Sequence, residues 1–438
     1  LKNRLLRVAF SILFCGGLLC LSETTVQAQT TTSHSPYSQF GLGQMREDLT
    51  PQQRSMGGIA SGLRYLGGMP TLNVSNPASY SAMNRVIFDG SMYGNFTQLS
   101  KGTTSDNTAD FAFGHITFGV PLKKAGGLSF GLLPFSDVGY NAYEDQNLGD
   151  LRYRKSIAGE GGLNKAYIGY GVNLPIKGLS VGANAGYLFG NLTDRSTVEF
   201  PNNADIYNTI QTNNRYVRGF LLDYGMQYFR SLGNRMSMTI GYSGSLNNQV
   251  SNETTLMGTI TPGGGSALDA VALDTIISPV SFGQRLNLPL KHNIGITVSK
   301  GYNWTVGADF KYADWSYMQP REGQAPLGKN IGVAIGGQFK PDATSPKYLN
   351  IVDYRLGFRY NQTEVTLNNR RINDMAVSAG FGIPLAQKSF GRTFSMLNIT
   401  GEFGQRGTLQ NNLVRERYIT IHLGFTINDT WFVRGSID

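Results

Sequence analysis

Cysteine is all but missing from this chain: two among 438 residues, Cys15 and Cys20, both inside a stretch that reads as a leader. Lys2, Arg4 and Arg7 form a basic start, Val8–Leu21 is an apolar run of h-region length, and small or neutral residues precede Gln29. Removal of residues 1–28 is expected to leave no thiol, no disulfide and no cysteine-bound metal. Histidine is nearly as scarce. His34, His115, His292 and His422 stand far apart, so no metal site is expected. Charged residues make up only 15%, and no apolar run long enough for a membrane-crossing helix follows the leader. The net charge of +9 raises nucleic acid as a partner. Charges scattered over the turns of an exported chain exclude it.

What the chain has in plenty is glycine, 55 residues, together with 24 Phe and 22 Tyr. From Val86 onward it divides into about fourteen strand candidates, among them "KAYIGYGVNL", "WTVGADFKY" and "YITIHLGFTI". Each is near the ~9–11 residues needed to cross a bilayer at a tilt. Short connections such as "PLKKAGG" and "PIKG" alternate with long ones, such as "EDQNLGDLRYRKSIAGEGGLN" and the segment from Asn247 to about Pro289. That alternation predicts an all-β fold, a transmembrane antiparallel β-barrel of about fourteen strands. Closure is required because lipid satisfies no free strand edge. An even strand count puts both termini on one side, the periplasmic side of a bacterial outer membrane.

The strand faces carry the same message. Ile419, Ile421, Leu423, Phe425 and Ile427 share one face of the last strand, against Thr420, His422 and Gly424. Alternation elsewhere sets Asp309, Lys311, Asp353, Arg355 and Arg359 opposite aromatic and aliphatic neighbours. A charge facing lipid at mid-membrane costs about 2–4 kcal/mol, so these charged residues, with Glu402 and His422, are expected on the lumen face. A final loop centred near Asn412 would make Glu402 and His422 cross-strand neighbours, a pair able to respond to pH. The short turns hold Lys123, Lys124, Lys177, Arg230, Arg235, Lys300, Lys340 and Lys388 against one acid, Asp342. They predict a basic periplasmic rim suited to anionic headgroups or an acidic partner. Trp304 and Trp315 flank one strand with opposite parity, so at most one of them faces lipid. "GLSFG" around Ser129 matches a nucleophile elbow but lies within a strand, with no helix after it. No enzymatic activity and no cofactor are expected.

The blocks "SPYSQFGLGQM", "RSMGGIASGL" and "NVSNPASYSAM", with the closing "HLGFTINDTWF", resemble segments of Bacteroidota outer-membrane barrels. Asn76, Pro77 and Ala78 resemble the motif near the start of FadL-type fatty-acid transporters and of the related PorV-like secretion barrels. That resemblance implies fourteen strands and an N-terminal segment that plugs the lumen. The residues allow it: glycine and proline recur closely through Ser35–Met83, without periodicity, and a long irregular stretch needs a reason to exist. Folding inside the barrel, against glycine-rich lumen positions, supplies one. The expected layout is a leader at 1–28, a plug at 29–85, the barrel at 86–427 and a periplasmic aromatic tail at 428–438. By resemblance, the function would be passive transport of a small hydrophobic solute. A polar lumen argues against a greasy ligand. The alternative is a non-transporting accessory barrel of an outer-membrane protein assembly or secretion complex. The partners expected are outer-membrane lipid and either a hydrophobic small molecule or outer-membrane and periplasmic proteins.

Overall fold

The computed structural model describes residues 34–320, 324–385 and 394–429. The leader, Lys388 and the tail with Trp431 lie outside the described residues. Seven barrel strands come first: β1 Val86–Lys101, β2 Thr104–Pro121, β3 Gly127–Leu148, β4 Leu151–Asn173, β5 Leu179–Glu199, β6 Asn208–Gly233 and β7 Met236–Ser245. Seven more follow: β8 Lys291–Lys300, β9 Trp304–Asp314, β10 Lys329–Phe339, β11 Asp353–Leu367, β12 Arg370–Pro384, β13 Phe394–Gly407 and β14 Arg415–Asp429. Each pairs antiparallel with the next, and β14 returns to β1 with Asp429 opposite Val86, closing the barrel. Closure gives every crossing strand two neighbours where hydrocarbon gives none. We call the rim holding Val86 and Asp429 proximal and the other distal.

Apolar side chains point out at every second position. Ile419, Ile421, Leu423 and Phe425 are exposed and Ile427 is half-buried. Period two breaks within β2, where a bulge at Gly114 sets His115 opposite Ser91 but Phe113 opposite Met92. The extra residue switches the facing of everything before it, so Phe111 and Phe113 point outward but so does Ile116. Two rows of aromatic side chains lie on the outer surface. Near the proximal rim Phe88 tilts against Phe118 at 4.9 Å and Phe118 stacks on Phe130 at 5.3 Å, and Trp304 lies at that end of β9. Tyr224, Tyr242, His292 and Tyr312 form the distal row, with centroids 5.9, 6.1 and 6.5 Å apart. Amphipathic rings at both strand ends are the mark of membrane interfaces. Trp315, by contrast, is 4% exposed and belongs to the interior.

The long connections differ from expectation. "EDQNLGDLRYRKSIAGEGGLN" is not a loop: β3 and β4 run through it as a hairpin closed by Gly149 and Asp150 alone. Within Asn247 to Pro289 lies a second hairpin, Gln249–Thr261 with Asp274–Asn287. Its first strand pairs with the distal end of β6, extending a sheet that stands above the barrel on one side. Period two fails to mark these ribbons because the hairpin end of β3 and β4 is largely solvent-exposed and the buried face of Gln249–Thr261 carries polar Asn252 and Thr254, which erases the hydrophobic alternation. The connection 340–352, expected as a short turn, contains a helical turn at Tyr348–Ile351. Alternation survives as strand protrusion, not as loop length.

Inside the distal mouth Tyr37 and Leu42 of the N-terminal segment pack with Leu163, Leu192, Val217, Trp315 and other buried apolar residues. Two smaller clusters, around Tyr80 and around Ile59, fill the proximal lumen.

Candidate functional site: the filled lumen

The segment from His34 to the start of β1 runs inside the barrel, and its short turns explain how. Thr50 caps the turn Pro51–Arg54 through a capping box with Gln53. Asn76 caps the 3-10 turn Pro77–Ala82, accepting from the Ala78 amide at 3.2 Å. The Asn76 amide nitrogen donates to the Ser61 carbonyl at 2.7 Å, which ties two passes of the segment together. Asn73 does the same for Ala60 and Leu63, at 2.7 and 2.9 Å.

The barrel then grips this segment. Asp309 accepts from the amides of Ala60 and Ser61 at 2.8 and 2.7 Å. Arg64 donates to Ser180 at 2.7 Å, Ser81 at 3.0 Å and Asn173 at 2.9 Å. Gln227 donates to the Ser61 carbonyl at 3.1 Å and Thr297 to that of Gly62 at 2.6 Å. Close approach depends on glycine. A Cβ at Gly241 would lie 1.7 Å from the Ser61 oxygen, and at Gly357 1.9 Å from the Gly57 nitrogen. Pro77 presses on Gly171 and Gly182 in the same manner.

Between the loop Arg46–Arg54 and the walls remains a cavity of about 280 Å³. Arg46, Arg54, Lys165, Lys291, Lys311, Arg359 and Arg406 line it, against Glu47, Asp48, Asp223, Asp309, Glu364, Asp374 and Glu402. The signs balance, and most of these groups are already paired. Lys311 meets Glu47 at 2.6 Å, Lys165 bonds Asp48 and reaches Asp223 at 3.3 Å, and Arg46 meets Asp137 at 2.6 Å. Burial works against the Glu47 charge, but the Lys311 ammonium prevails and holds that carboxyl below its ordinary range.

Glu402 and His422 are not direct cross-strand neighbours. Glu402 stands opposite Thr420 and His422 opposite Thr400, because the β13–β14 loop centres on Asn411, one residue earlier than expected. Arg359 bonds Glu402 and meets Asp374 at 3.1 Å; the His422 Nε2 lies 3.7 Å from Glu402, too far for a hydrogen bond. Arg355 bonds Gln338 at 2.7 Å and Asn398 at 2.8 Å and reaches Asp353 at 3.2 Å. Lys340 is no rim residue: it is buried, 3.2 Å from Asp353. Lys123, Lys124, Lys177, Arg230, Arg235 and Lys300 are exposed at the proximal rim. Ser129 is buried against the Tyr167 hydroxyl at 2.7 Å. Arg46, Glu47, Asp48, Arg54 and Arg64 were missed, since an irregular segment carries no periodicity to mark them. Asp374 and Arg406 lie on regular strands, and alternation in "RINDMAVSAGFGIP" would have exposed the first.

The wall is incomplete at one place. β2 pairs with β3 only from Ile116 to Pro121, and beyond this the two strands part. Gln44–Met45 of the inner segment pairs with Ser136 and Asp137 of β3, and the Arg46 amide donates to Phe135 at 2.9 Å. His34 meets Asp110 of β2 at 2.5 Å. That bond raises the imidazole above its ordinary value of 6.5, outweighing burial. A raised folded value means that the contact contributes fully below about pH 6.5 and is lost as pH climbs through the raised value. Amide exchange across Ser35–Gln39, corrected for intrinsic rates, is expected to be slower at about pH 6 than at about pH 8. His34→Gln should remove the difference; an unchanged profile would show that the bond does not anchor this end.

A family model described as BamG matches residues 12–438. The chain belongs to the BamG family. No curated protein matches it. Among solved structures, this BamG-family chain is similar to a Pseudomonas aeruginosa FadL homologue, at 11% identity and TM-score 0.55, covering 89% of this chain and 100% of that one. The Ralstonia pickettii toluene transporter TbuX gives 14% and 0.55, covering 87% and 98%. The P. putida toluene transporter TodX gives 14% and 0.55, covering 88% and 99%. Identities this low establish a shared fold: the chain is a closed β-barrel of FadL-like architecture.

Proposed function

We propose that this chain is a sealed accessory barrel, an outer-membrane scaffold that binds other proteins and conducts no solute. One observation carries the reading: backbone of the inner segment rests directly on strand glycines, with Ser61 on Gly241 and Gly57 on Gly357. Such contacts leave no sliding surface, since close-packed interiors rearrange between discrete states and do not yield gradually. The remaining cavity is lined by paired charges, which suits neither a hydrocarbon nor an ion of one sign. Membership of the BamG family favours the assembly alternative over the transport one.

The parting of β2 and β3 favours a second reading, passage of a small hydrophobic solute between lipid and lumen. Occupation of the β3 edge by Gln44–Met45 opposes it. Purification from membranes in mild detergent, followed by native mass spectrometry, separates the two. The scaffold reading predicts stoichiometric protein partners and no retained hydrophobic molecule. A solitary barrel carrying a bound hydrocarbon or fatty acid would overturn it.

A further inference from the structure

We infer that the outer strand of the ribbon, Asp274–Asn287, is where a partner protein adds a β-strand, antiparallel to it and rising away from the membrane. The inference rests on the scaffold reading and names its docking surface. Among the described residues this strand pairs only with Gln249–Thr261, so its second edge offers a row of unpaired amides and carbonyls. All of Asp274–Arg285 is exposed. A sheet edge this long and uncovered is a template for another strand, and folded proteins ordinarily blunt such edges.

The side chains add an apolar surface to the row. Leu286 opposes Val250, and both belong to the buried distal cluster. Val280 and Phe282 share the Leu286 face by alternation, yet are 54% and 45% exposed. Gln284, opposite Asn252, separates them from the buried cluster, and beyond it Phe282 and Val280 form a second apolar patch, opposite Thr254 and Leu256, that this chain leaves uncovered. A lipid or hydrocarbon would cover Val280 and Phe282 but leave the amides and carbonyls unpaired. A strand satisfies both.

Pro279 and the register shift opposite Leu256–Gly258 interrupt the edge, leaving Val280–Leu286 as its continuous part. A second copy fits this edge poorly. Two barrels in one membrane are related by an axis along the membrane normal, so their edges would meet parallel, against the antiparallel order of the sheet. Asp274–Asn287 descends toward β8, so an antiparallel addition climbs outward from the membrane surface. The occupant is thus an extended segment of a different protein.

A photo-crosslinking residue at Gly283, where a Cβ meets nothing within 4 Å, tests this in the full-length chain in its native membrane. The expected product is an adduct with one other protein through an extended segment, falling at least ~10-fold in yield with Val280→Lys plus Phe282→Lys. Leu268→Lys, exposed but off the edge, should not alter the yield. Heat-dependent gel mobility confirms folding, and each single lysine variant gives the same readout should the double one fail to insert. Adducts with a second copy or with lipid alone, or a yield insensitive to the lysines, would overturn the inference. A partner that still co-purifies with the double variant would place docking elsewhere and leave the scaffold reading standing. Absence of any partner from the unaltered chain as well would remove both.

Discussion

Gly241→Val together with Gly357→Val should unseat the inner segment while the barrel stays folded. Their Cβ atoms would lie 1.7 and 1.9 Å from backbone atoms of Ser61 and Gly57, and backbone cannot swing aside as a side-chain tip can. Overpacking costs typically about 1–3 kcal/mol per site, and the two act on separate passes of the segment. The strand ladder does not share that cost, because valine suits a strand and both positions pair normally with neighbours. Trypsin cleavage at Arg54 and Arg64 in folded protein should rise roughly 10- to 100-fold, since ~1.4 kcal/mol is a factor of ten in the open population. Gly401→Val, with nothing within 4 Å of its Cβ, is the matched control and should leave cleavage unchanged. Equal cleavage in all three would mean that the segment is not held by these contacts.

The second large effect belongs to Arg359. It bonds Glu402, meets Asp374 at 3.1 Å and donates to the Tyr418 hydroxyl at 2.7 Å. Arg359→Met would leave the Glu402 carboxylate buried without its strongest partner, while Arg406 still serves Asp374. Removing one member of a buried pair costs about 3–5 kcal/mol, mostly through the charge left behind. Adding Glu402→Gln removes that charge, and more than half of the loss should return. Unfolding in denaturant from lipid vesicles measures both variants. A loss below about 1 kcal/mol for Arg359→Met would mean that water in the adjoining cavity already solvates Glu402.

How far the sequence reached is clear from individual residues. Asp309 and Arg359 sit on strands with strict alternation, so the price of charge in lipid alone predicts an inward position. That argument says nothing of what they touch. Asp309 binds two amides of Ala60 and Ser61, more than two hundred residues away in an irregular segment, and no periodicity links them. The glycine-rich lumen face predicted close approach of an inner segment: backbone of Pro77 and Met56 lies on Gly171 and Gly336, while the rings of Tyr80 and Pro51 lie on Gly169 and Gly424. The Glu402–His422 pairing failed by a one-residue shift in loop centre, because Asn411 and Asn412 both take left-handed φ in the turn. Lys340 departs from the expected rim because position beside a strand end reads as solvated, whereas Asp353 draws the ammonium inside.

Electrical recording on the purified chain in a planar bilayer tests the sealed lumen most directly. The account predicts a silent membrane at both polarities for the intact chain and discrete openings once Gly241→Val and Gly357→Val are introduced. A steady ohmic conductance from the intact chain would contradict it.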